Sequence, residues 1–188
     1  MTMTKPISRV NDFVVKFSNV NGSGSASANA LFARAVLRMG VPVAARNIFP
    51  SNIQGLPTWY EVRIVEAGWR GRRGGIDLVV AMNPETWAQD VAEIEAGGYL
   101  FYDSSKPLPA SKFRDDVTAI GMPITAICNA EYSDARQRQL FKNIVYLGAL
   151  CSMLSIDPAE IERLFGEQYK GKEALLEANR NALRMGYE

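Results

Sequence analysis

The N-terminal part of the chain passes from a strand-like segment through a small-residue loop into a helix-like segment. Residues 13–20 are rich in β-branched and aromatic side chains, which favour a strand. Asn21-Gly22-Ser23-Gly24-Ser25 follows, and residues 26–39 then place apolar side chains at helical spacing. Another segment, residues 76–81, is mostly apolar and is typical of a strand buried on both faces of a sheet. Because such a strand needs helices to cover it, these segments constrain the chain to an α/β fold.

The remaining elements continue this alternation. Strands are predicted at residues 41–48, 59–66, 99–103 and 117–124, the third of them after a turn at Gly97-Gly98. Helices are predicted from Asn83-Pro84 to residue 94, at 134–154, from Asp157-Pro158 onward, and at 172–185. We therefore expect residues 1–188 to form a single three-layer α/β/α domain with a mainly parallel sheet and a helical C-terminal third. Its core is expected at 12–185, after an N-terminal tail at 1–11.

The side chains available for catalysis are few. The chain contains no histidine, which excludes a Ser-His-Asp or Cys-His unit and any histidine-ligated metal site. Its two cysteines, Cys128 and Cys151, are far apart, and two thiolates cannot hold an iron–sulfur cluster or a structural zinc. Cys151 lies among apolar residues and is interpreted as an inert core thiol. No catalytic residue and no metal ligand is predicted.

Charge and targeting signals point to a cytoplasmic protein. The formal net charge is +1, so no global field favours nucleic acid or an anionic membrane as a partner. The N-terminus lacks the apolar stretch of a signal peptide, and no run of about 18 apolar residues exists to span a bilayer. With only two cysteines, a reducing compartment is expected.

The loop after the first strand is the strongest local signal for a ligand. Ligands of open α/β sheets bind at the carboxyl ends of the strands, where glycines let the backbone approach a phosphate. A serine-capped tight turn explains the same residues equally well. The loop lacks the third glycine of a dinucleotide fingerprint, and no acidic residue lies between Asp12 and Glu61 to bind a ribose. A P-loop is excluded, because no Gly-Lys-Ser/Thr follows.

Two further loops and one helix leave alternatives open. Residues 69–75, with Arg63 before them, predict either a bidentate anion site or a solvated connection between strands. Residues 47–60 are too apolar for a simple connector, so they either fold back on the core or face a partner subunit. In the apolar helix at 140–154, Gly148 is expected to permit close helix packing, and Asn143 to cap a strand end or orient a loop.

Taken in order, these segments resemble a known family. After the glycine-rich loop come WYEVRI, DLVVAMNPETW, GGYLFYDSS and KNIVYLGAL. The chain resembles, from about Asp12 to Met185, the γ domain or subunit of the 2-oxoacid:ferredoxin oxidoreductases that act on pyruvate or 2-oxoglutarate. It is most similar to the branch in which this domain is fused ahead of the α portion.

The resemblance implies a non-catalytic γ component of an oxidoreductase that is inactive on its own. The family carries out coenzyme A-dependent oxidative decarboxylation of 2-oxoacids, with thiamine diphosphate and 4Fe-4S clusters held by the partner α and β portions and ferredoxin as acceptor. An oligomer is expected, and coenzyme A is the one ligand that this chain itself could contact. The cofactor-binding residues carried over by position are Asn21, Gly22, Ser23, Gly24, Ser25, Gly55 and Arg63.

The loop departs from the family's Gly-x-Gly-Gly-Gln-Gly, since residues 25–27 replace its later glycines and glutamine. Two other functions are consistent with the residues. One is a stand-alone Rossmann-like nucleotide-binding protein, and the other is an assembly scaffold that binds no small molecule.

Overall fold

The computed structural model describes residues 6–188. Its strands are β1 (Asp12–Val20), β2 (Val43–Ile48), β3 (Pro57–Val65), β4 (Ile76–Ala81), β5 (Ile94–Asp103) and β6 (Thr118–Met122). Its α-helices are α1 (Ser25–Arg38), α2 (Trp87–Ala92), α3 (Ile124–Glu131), α4 (Ala135–Met153), α5 (Pro158–Gln168) and α6 (Glu173–Tyr187). The predicted α/β class and the helical C-terminal third are confirmed.

The chain divides into two compact units. The first consists of the chain up to Ser23 together with Val41–Pro123, and it holds the whole sheet and α2. The second consists of Gly24–Gly40 and Ile124–Glu188, and it holds α1 and α3 to α6. The assignment of residues 1–188 to one domain stays a prediction. Of the expected tail, residues 1–5 lie outside the described residues. Ile7, within the first unit, donates its amide to the Gly97 carbonyl at 2.8 Å.

The sheet is mixed, with the order β2-β3-β1-β4-β5-β6. Strands β1, β4, β5 and β6 run parallel to their neighbours in this series, whereas β3 is antiparallel to both β1 and β2. The mainly parallel sheet is therefore confirmed. Successive side chains of a strand point to opposite faces, and Val79 and Val80 of β4 are both fully buried. This confirms that the apolar segment 76–81 is a strand covered on both faces.

An aromatic cluster lies at one side of the first unit. The Trp87 ring meets Tyr102 and Phe113 edge-on, with centroids 5.6 and 5.7 Å apart, and its indole N–H donates to the Lys112 carbonyl at 2.8 Å. The chain reaches Trp87 through the predicted Asn83-Pro84 start, where the Asn83 side chain accepts from the Glu85 amide. A short 3-10 turn follows before α2 begins. Burial of the Trp87 ring, with its indole N–H paired, fixes α2 in this unit.

The predicted turn at Gly97-Gly98 is wrong, because both glycines lie inside β5. That strand begins at Ile94, and its pairing with β4 shifts register between Ile76 and Leu78. Gly97 takes a φ of +83°, and a Cβ on Gly98 would lie 2.8 Å from the Asp77 carbonyl oxygen. Gly97 permits a strand irregularity, and Gly98 permits a close approach of the backbone. Turns require glycine for the same reasons, so the sequence does not distinguish the two structures.

Helix α3 is not predicted by the sequence pattern. The predicted strand at 117–124 ends at Met122, and the chain enters α3 directly after Pro123. Ile124 and Thr125 are β-branched, so the segment continues the strand pattern of β6. In so short an apolar segment, periodicity does not distinguish a strand from a helix. Cys128 therefore lies in a helix that follows β6, and it is fully buried.

Helices α4 and α6 of the second unit pack through glycines. A Cβ on Gly148 would overlap the Leu183 carbonyl oxygen, and a Cβ on Gly186 would overlap the Val145 carbonyl oxygen. The prediction that Gly148 permits close helix packing is confirmed. The predicted helix starts are also found, since Asp134 caps α4 by accepting from the Gln137 amide at 2.8 Å and Asp157 caps α5 by accepting from the Ala159 amide at 2.9 Å.

Gly148→Ala is expected to lower the free energy of unfolding by about 1–3 kcal/mol, because the added methyl group forces the α4 and α6 backbones apart. Urea denaturation of the full chain measures this. Gly166→Ala is the matched control: that glycine lies in α5 with open space around its Cβ position, so alanine should stabilise the helix by about 0.5–1 kcal/mol. Equal stability of the two variants would contradict the packing argument.

Candidate functional site

The first half of the glycine-rich loop, residues 21–23, belongs to the first unit and is bonded to the 51–56 segment. The Asn21 amide donates to the Leu56 carbonyl at 2.8 Å, and the Asn21 carbonyl accepts from the Gly55 amide at 3.0 Å. The Asn21 side-chain amide also donates to the Ile53 carbonyl at 3.1 Å. The structure thus brings together two predicted site residues, Asn21 and Gly55, that are distant in sequence.

Gly22 is required by the turn itself. Its φ of +84° is strained for any residue with a side chain, and a Cβ would lie 2.7 Å from Cγ of Gln54. Ser23, the next residue, is buried and its amide donates to the Val20 carbonyl at 3.2 Å. The tight-turn interpretation therefore accounts for Gly22 without a ligand.

The second half of the loop, Gly24 and Ser25, belongs to the second unit and begins α1. Gly24 is the N-cap residue with a φ of +81°, no side chain caps this helix end, and its first turn holds no acidic residue. A Cβ on Gly24 would lie 2.8 Å from Cδ2 of Leu140 and 3.6 Å from Nδ2 of Asn143. The buried Asn143 amide thus lies beside Gly24, which supports its interpretation as a residue that orients the loop. The backbone N–H groups of the first turn carry the positive end of the helix dipole.

Arg63 does not join these residues. It lies on β3 opposite Val14, whereas the loop end of β3 pairs Pro57 with Val20. Six strand residues separate the two ends, a span of roughly 20 Å. The Arg63 guanidinium instead donates to the Gly71 carbonyl. Its assignment as a cofactor-binding residue stays a prediction, and it would serve a site apart from Asn21 and Gly55.

Two arginines of the loop at residues 69–75, the arginine-rich loop, pair with carboxylates of the same unit. Arg72 donates to both carboxylate oxygens of Glu61, at 3.2 and 3.1 Å. Arg73 and Arg9 both pair with Asp77. Because Glu61 and Asp77 are buried carboxylates, these arginines neutralise charges that would otherwise be costly to bury. This arrangement favours the structural interpretation of the loop over an anion site.

A buried polar network in the first unit was not detected in the sequence. Asp90 is fully buried and accepts from the Trp59 indole N–H at 2.8 Å and from the Thr86 hydroxyl at 2.6 Å. The Thr86 hydroxyl also lies 2.8 Å from the Ser18 hydroxyl. An aspartate on a short helix gives no signal of burial by itself, so only the tertiary structure reveals this network.

Lys16 lies on the other side of Trp59. Its ammonium group is 5.3 Å from the Trp59 ring centroid and pairs with Glu93. Partial burial acts to raise the pKa of Glu93, but the hydrogen bonds from Lys16 and Gln89 and the positive charges of Lys16 and Arg72 together hold that pKa below its ordinary value. Trp59 is therefore held between a buried cation and a buried carboxylate.

Neither cysteine is placed for chemistry at the surface. Cys128 and Cys151 are both buried, and burial raises the pKa of the Cys151 thiol to about 12. The thiol is protonated at neutral pH, which confirms its interpretation as an inert core group. Within residues 6–188 there is no group of three or more metal-ligating side chains. In the same part of the chain, no helix is long and apolar enough to cross a membrane.

Comparison with known proteins extends these observations. Residues 14–188 match the family model of pyruvate ferredoxin/flavodoxin oxidoreductase. The chain belongs to this family. It is 22% identical, over 89% of its length, to subunit alpha of 2-oxoacid:ferredoxin oxidoreductase 2 from Aeropyrum pernix. It spans 32% of that relative's length.

Solved structures show the same fold in two settings. The chain is similar, with a TM-score of 0.82 and 25% identity over 95% of its length, to 31% of a chain of 2-oxoglutarate:ferredoxin oxidoreductase from Magnetococcus marinus. That structure contains 2-oxoglutarate, coenzyme A and succinyl-CoA. The chain also has the fold of a keto/oxoacid ferredoxin oxidoreductase γ subunit from Geobacter sulfurreducens, with a TM-score of 0.71 and 22% identity over 93% of this chain and 96% of that one. It likewise has the fold of pyruvate oxidoreductase subunit PORC from Thermotoga maritima, with a TM-score of 0.73 and 23% identity over 95% of this chain and 96% of that one.

The strand order does not favour the Rossmann-like alternative. In a dinucleotide-binding fold, the strand after the first helix lies parallel beside the first strand. Here β2 follows α1 but lies at the sheet edge, and β1 is flanked by β3 and β4. Arg46 on β2, a basic residue that could otherwise meet a 2′-phosphate, lies 3.5 Å from Glu61 instead.

Asn21→Ala is expected to loosen the 51–56 segment, because the hydrogen bond from the side-chain amide to Ile53 is lost. We expect faster amide hydrogen exchange across that segment and a loss of about 1 kcal/mol in the free energy of unfolding. Asn52→Ala, at an exposed asparagine of the same segment, is the control and should leave exchange unchanged. Similar exchange in both variants would show that Asn21 does not hold the segment.

The stability of the folded chain should fall above pH 9 in a way that depends on Cys151. The thiol of the unfolded chain ionises near the ordinary cysteine value of 9.0, while burial holds the pKa of the folded thiol at about 12. The stabilisation is thus present below pH 9 and is lost as the pH rises. Between pH 8 and 10, the free energy of unfolding of the unmodified chain should fall by about 1 kcal/mol more than that of Cys151→Ala. If the free energies of unfolding of the two proteins, measured by urea titration, change with pH in parallel, the folded Cys151 thiol ionises at the same pH as the unfolded one. That result would contradict the prediction.

Proposed function

We propose that this chain is the non-catalytic γ component of a 2-oxoacid:ferredoxin oxidoreductase and that it helps to build the coenzyme A side of the site. The observation that carries the proposal is the family match over residues 14–188. The likeness to a 2-oxoglutarate:ferredoxin oxidoreductase structure that contains coenzyme A supports it. The partners are the α and β portions of the complex, which operates in the cytoplasm.

The complex converts a 2-oxoacid, coenzyme A and two oxidised ferredoxins into an acyl-CoA, carbon dioxide, two reduced ferredoxins and a proton. Thiamine diphosphate supplies the carbanion chemistry, and 4Fe-4S clusters carry the electrons. The residues of this chain do not fit a cluster, because two cysteines buried in different helices cannot supply four thiolates. The redox chemistry is therefore assigned to the partner portions.

The side chains of this chain agree with a supporting role. It has no histidine, and the Cys151 thiol is protonated at neutral pH. Two arginines of the 69–75 loop, Arg72 and Arg73, pair with Glu61 and Asp77. What the chain offers to a ligand is backbone: the N–H groups at the start of α1 and the loop that contains Asn21.

Coenzyme A is assigned to the glycine-rich loop. The cofactor-binding residues are Asn21, Gly22, Ser23, Gly24, Ser25 and Gly55, with Arg63 as a separate contact. A phosphate is stabilised at a helix N-terminus by N–H groups and by the dipole, and the first turn of α1 carries no carboxylate that would repel it. The backbone hydrogen bonds of Asn21 with Gly55 and Leu56 keep the two segments in one arrangement.

Ser27→Asp tests this assignment in the assembled complex. Ser27 is exposed in the first turn of α1, where an aspartate stabilises the helix by about 0.3–1 kcal/mol but repels a phosphate. We expect the KM for coenzyme A to rise about tenfold while kcat and the KM for the 2-oxoacid change little. The measurement is steady-state reduction of ferredoxin at varied coenzyme A.

Ser27→Asn is the matched control, because it is of similar size and neutral, and it should leave the KM for coenzyme A unchanged. An unchanged KM in Ser27→Asp would contradict the coenzyme A assignment and favour a pure scaffold. If complexes assembled without this chain retain full activity, the role as an oxidoreductase component itself is contradicted.

A further inference from the structure

The 49–56 loop of the first unit displays three large apolar side chains to solvent. Phe49 is 53% exposed, Ile53 is 65% exposed and Leu56 is 39% exposed. They lie within a few residues of one another on a loop that follows the edge strand β2. Scattered exposed apolar side chains need no explanation, but a group of three on one loop indicates a contact surface.

The same region contains no charge. From Asn47 to Tyr60 there is no aspartate, glutamate, lysine or arginine, although charged residues make up 22% of the chain. Depletion of charge is what distinguishes the buried centre of a protein interface from the rest of a protein surface. This loop can therefore be removed from water without desolvating an ion.

The loop is also held in place before any partner binds. The two backbone hydrogen bonds and the side-chain hydrogen bond of Asn21 fix residues 53–56. The Ile53 amide donates to the Ser51 hydroxyl at 3.2 Å, and Trp59 is anchored beyond the loop by Asp90. A pre-ordered loop loses little conformational entropy on binding, so its apolar contacts contribute to affinity almost in full.

The comparison structures show the company in which this fold occurs. The same fold occurs inside a longer oxidoreductase chain and also as a chain of its own. A chain of its own has no covalent link to the rest of the enzyme, so a non-covalent face must hold it there. The 49–56 loop is an uncharged, apolar surface of the first unit that could serve as such a face.

We propose that the 49–56 loop is the surface by which this chain docks onto the α portion of the oxidoreductase. This inference rests on the proposed function and adds to it the location of the contact. Phe49, Ile53 and Leu56 form the apolar centre, and the neighbouring Asn52 and Gln54 supply polar groups around it. Because Asn21 is bonded to this loop, docking would also bring the first half of the glycine-rich loop close to the α portion.

The test is affinity purification of the tagged full chain from its source organism, with the recovered proteins identified and quantified by mass spectrometry. The double variant Phe49→Ser/Ile53→Ser removes the centre of the surface. Leu108→Ser is the matched control, because Leu108 lies in the same unit and is 37% exposed, close to Leu56. All these side chains are exposed, so circular dichroism melting curves should show folded proteins of similar stability.

The expected result is that the α portion is recovered equally with the unmodified chain and with Leu108→Ser. With the double variant, its recovery should fall at least about tenfold relative to the unmodified chain. Equal recovery with the double variant overturns this inference and leaves the proposed function standing. Absence of the α portion from the unmodified sample overturns the proposed function. A dimer of this chain that dissociates in the double variant, with recovery of the α portion unaffected, assigns the loop to a second copy and overturns the inference.

Discussion

The sheet depends on the burial and pairing of β1. Val14, Val15 and Phe17 are almost wholly buried, and β1 pairs along its length with β3 on one side and with β4 on the other. Because both edges of β1 are occupied, the register of β3 and β4 is set against it. Asn21 follows the end of β1 and lies next to the segment that follows β2. The candidate ligand loop and the proposed docking loop are therefore neighbours in the first unit.

Buried charge explains why the arginine-rich loop does not form an open anion site. Glu61, Asp77, Asp90 and Lys16 all lie on elements of the sheet or on α2 with little exposure. Leaving any of them without a partner would cost several kcal/mol, so Arg72, Arg73, Trp59 and Glu93 are committed to them. The segment that follows β2, residues 49–56, carries no charge, and the proposed contact with a partner follows from that distribution.

Local signals in the sequence predict most elements, and the errors have physical causes. Asp134 and Asp157 mark helix starts because an N-cap carboxylate satisfies backbone N–H groups wherever the helix lies. Gly97 and Gly98 suggest a turn because positive φ and close approach serve turns and strand irregularities alike. Helix α3 escapes prediction because its β-branched start continues the pattern of β6. At the candidate site, the glycine-rich loop is recognisable in the sequence, but its bonds to Gly55 and the separation of Arg63 depend on strand register.

The sequence alone determined the α/β class, the family likeness and the lack of histidine-based chemistry, since these follow from residue identity and short-range periodicity. Tertiary structure alone decided the antiparallel position of β3, the pairing of the arginines with buried carboxylates, and the exposure of Phe49, Ile53 and Leu56. Each of these depends on contacts between residues distant in the chain. Such contacts are selected by burial and charge neutralisation over the whole sheet, which no local pattern encodes.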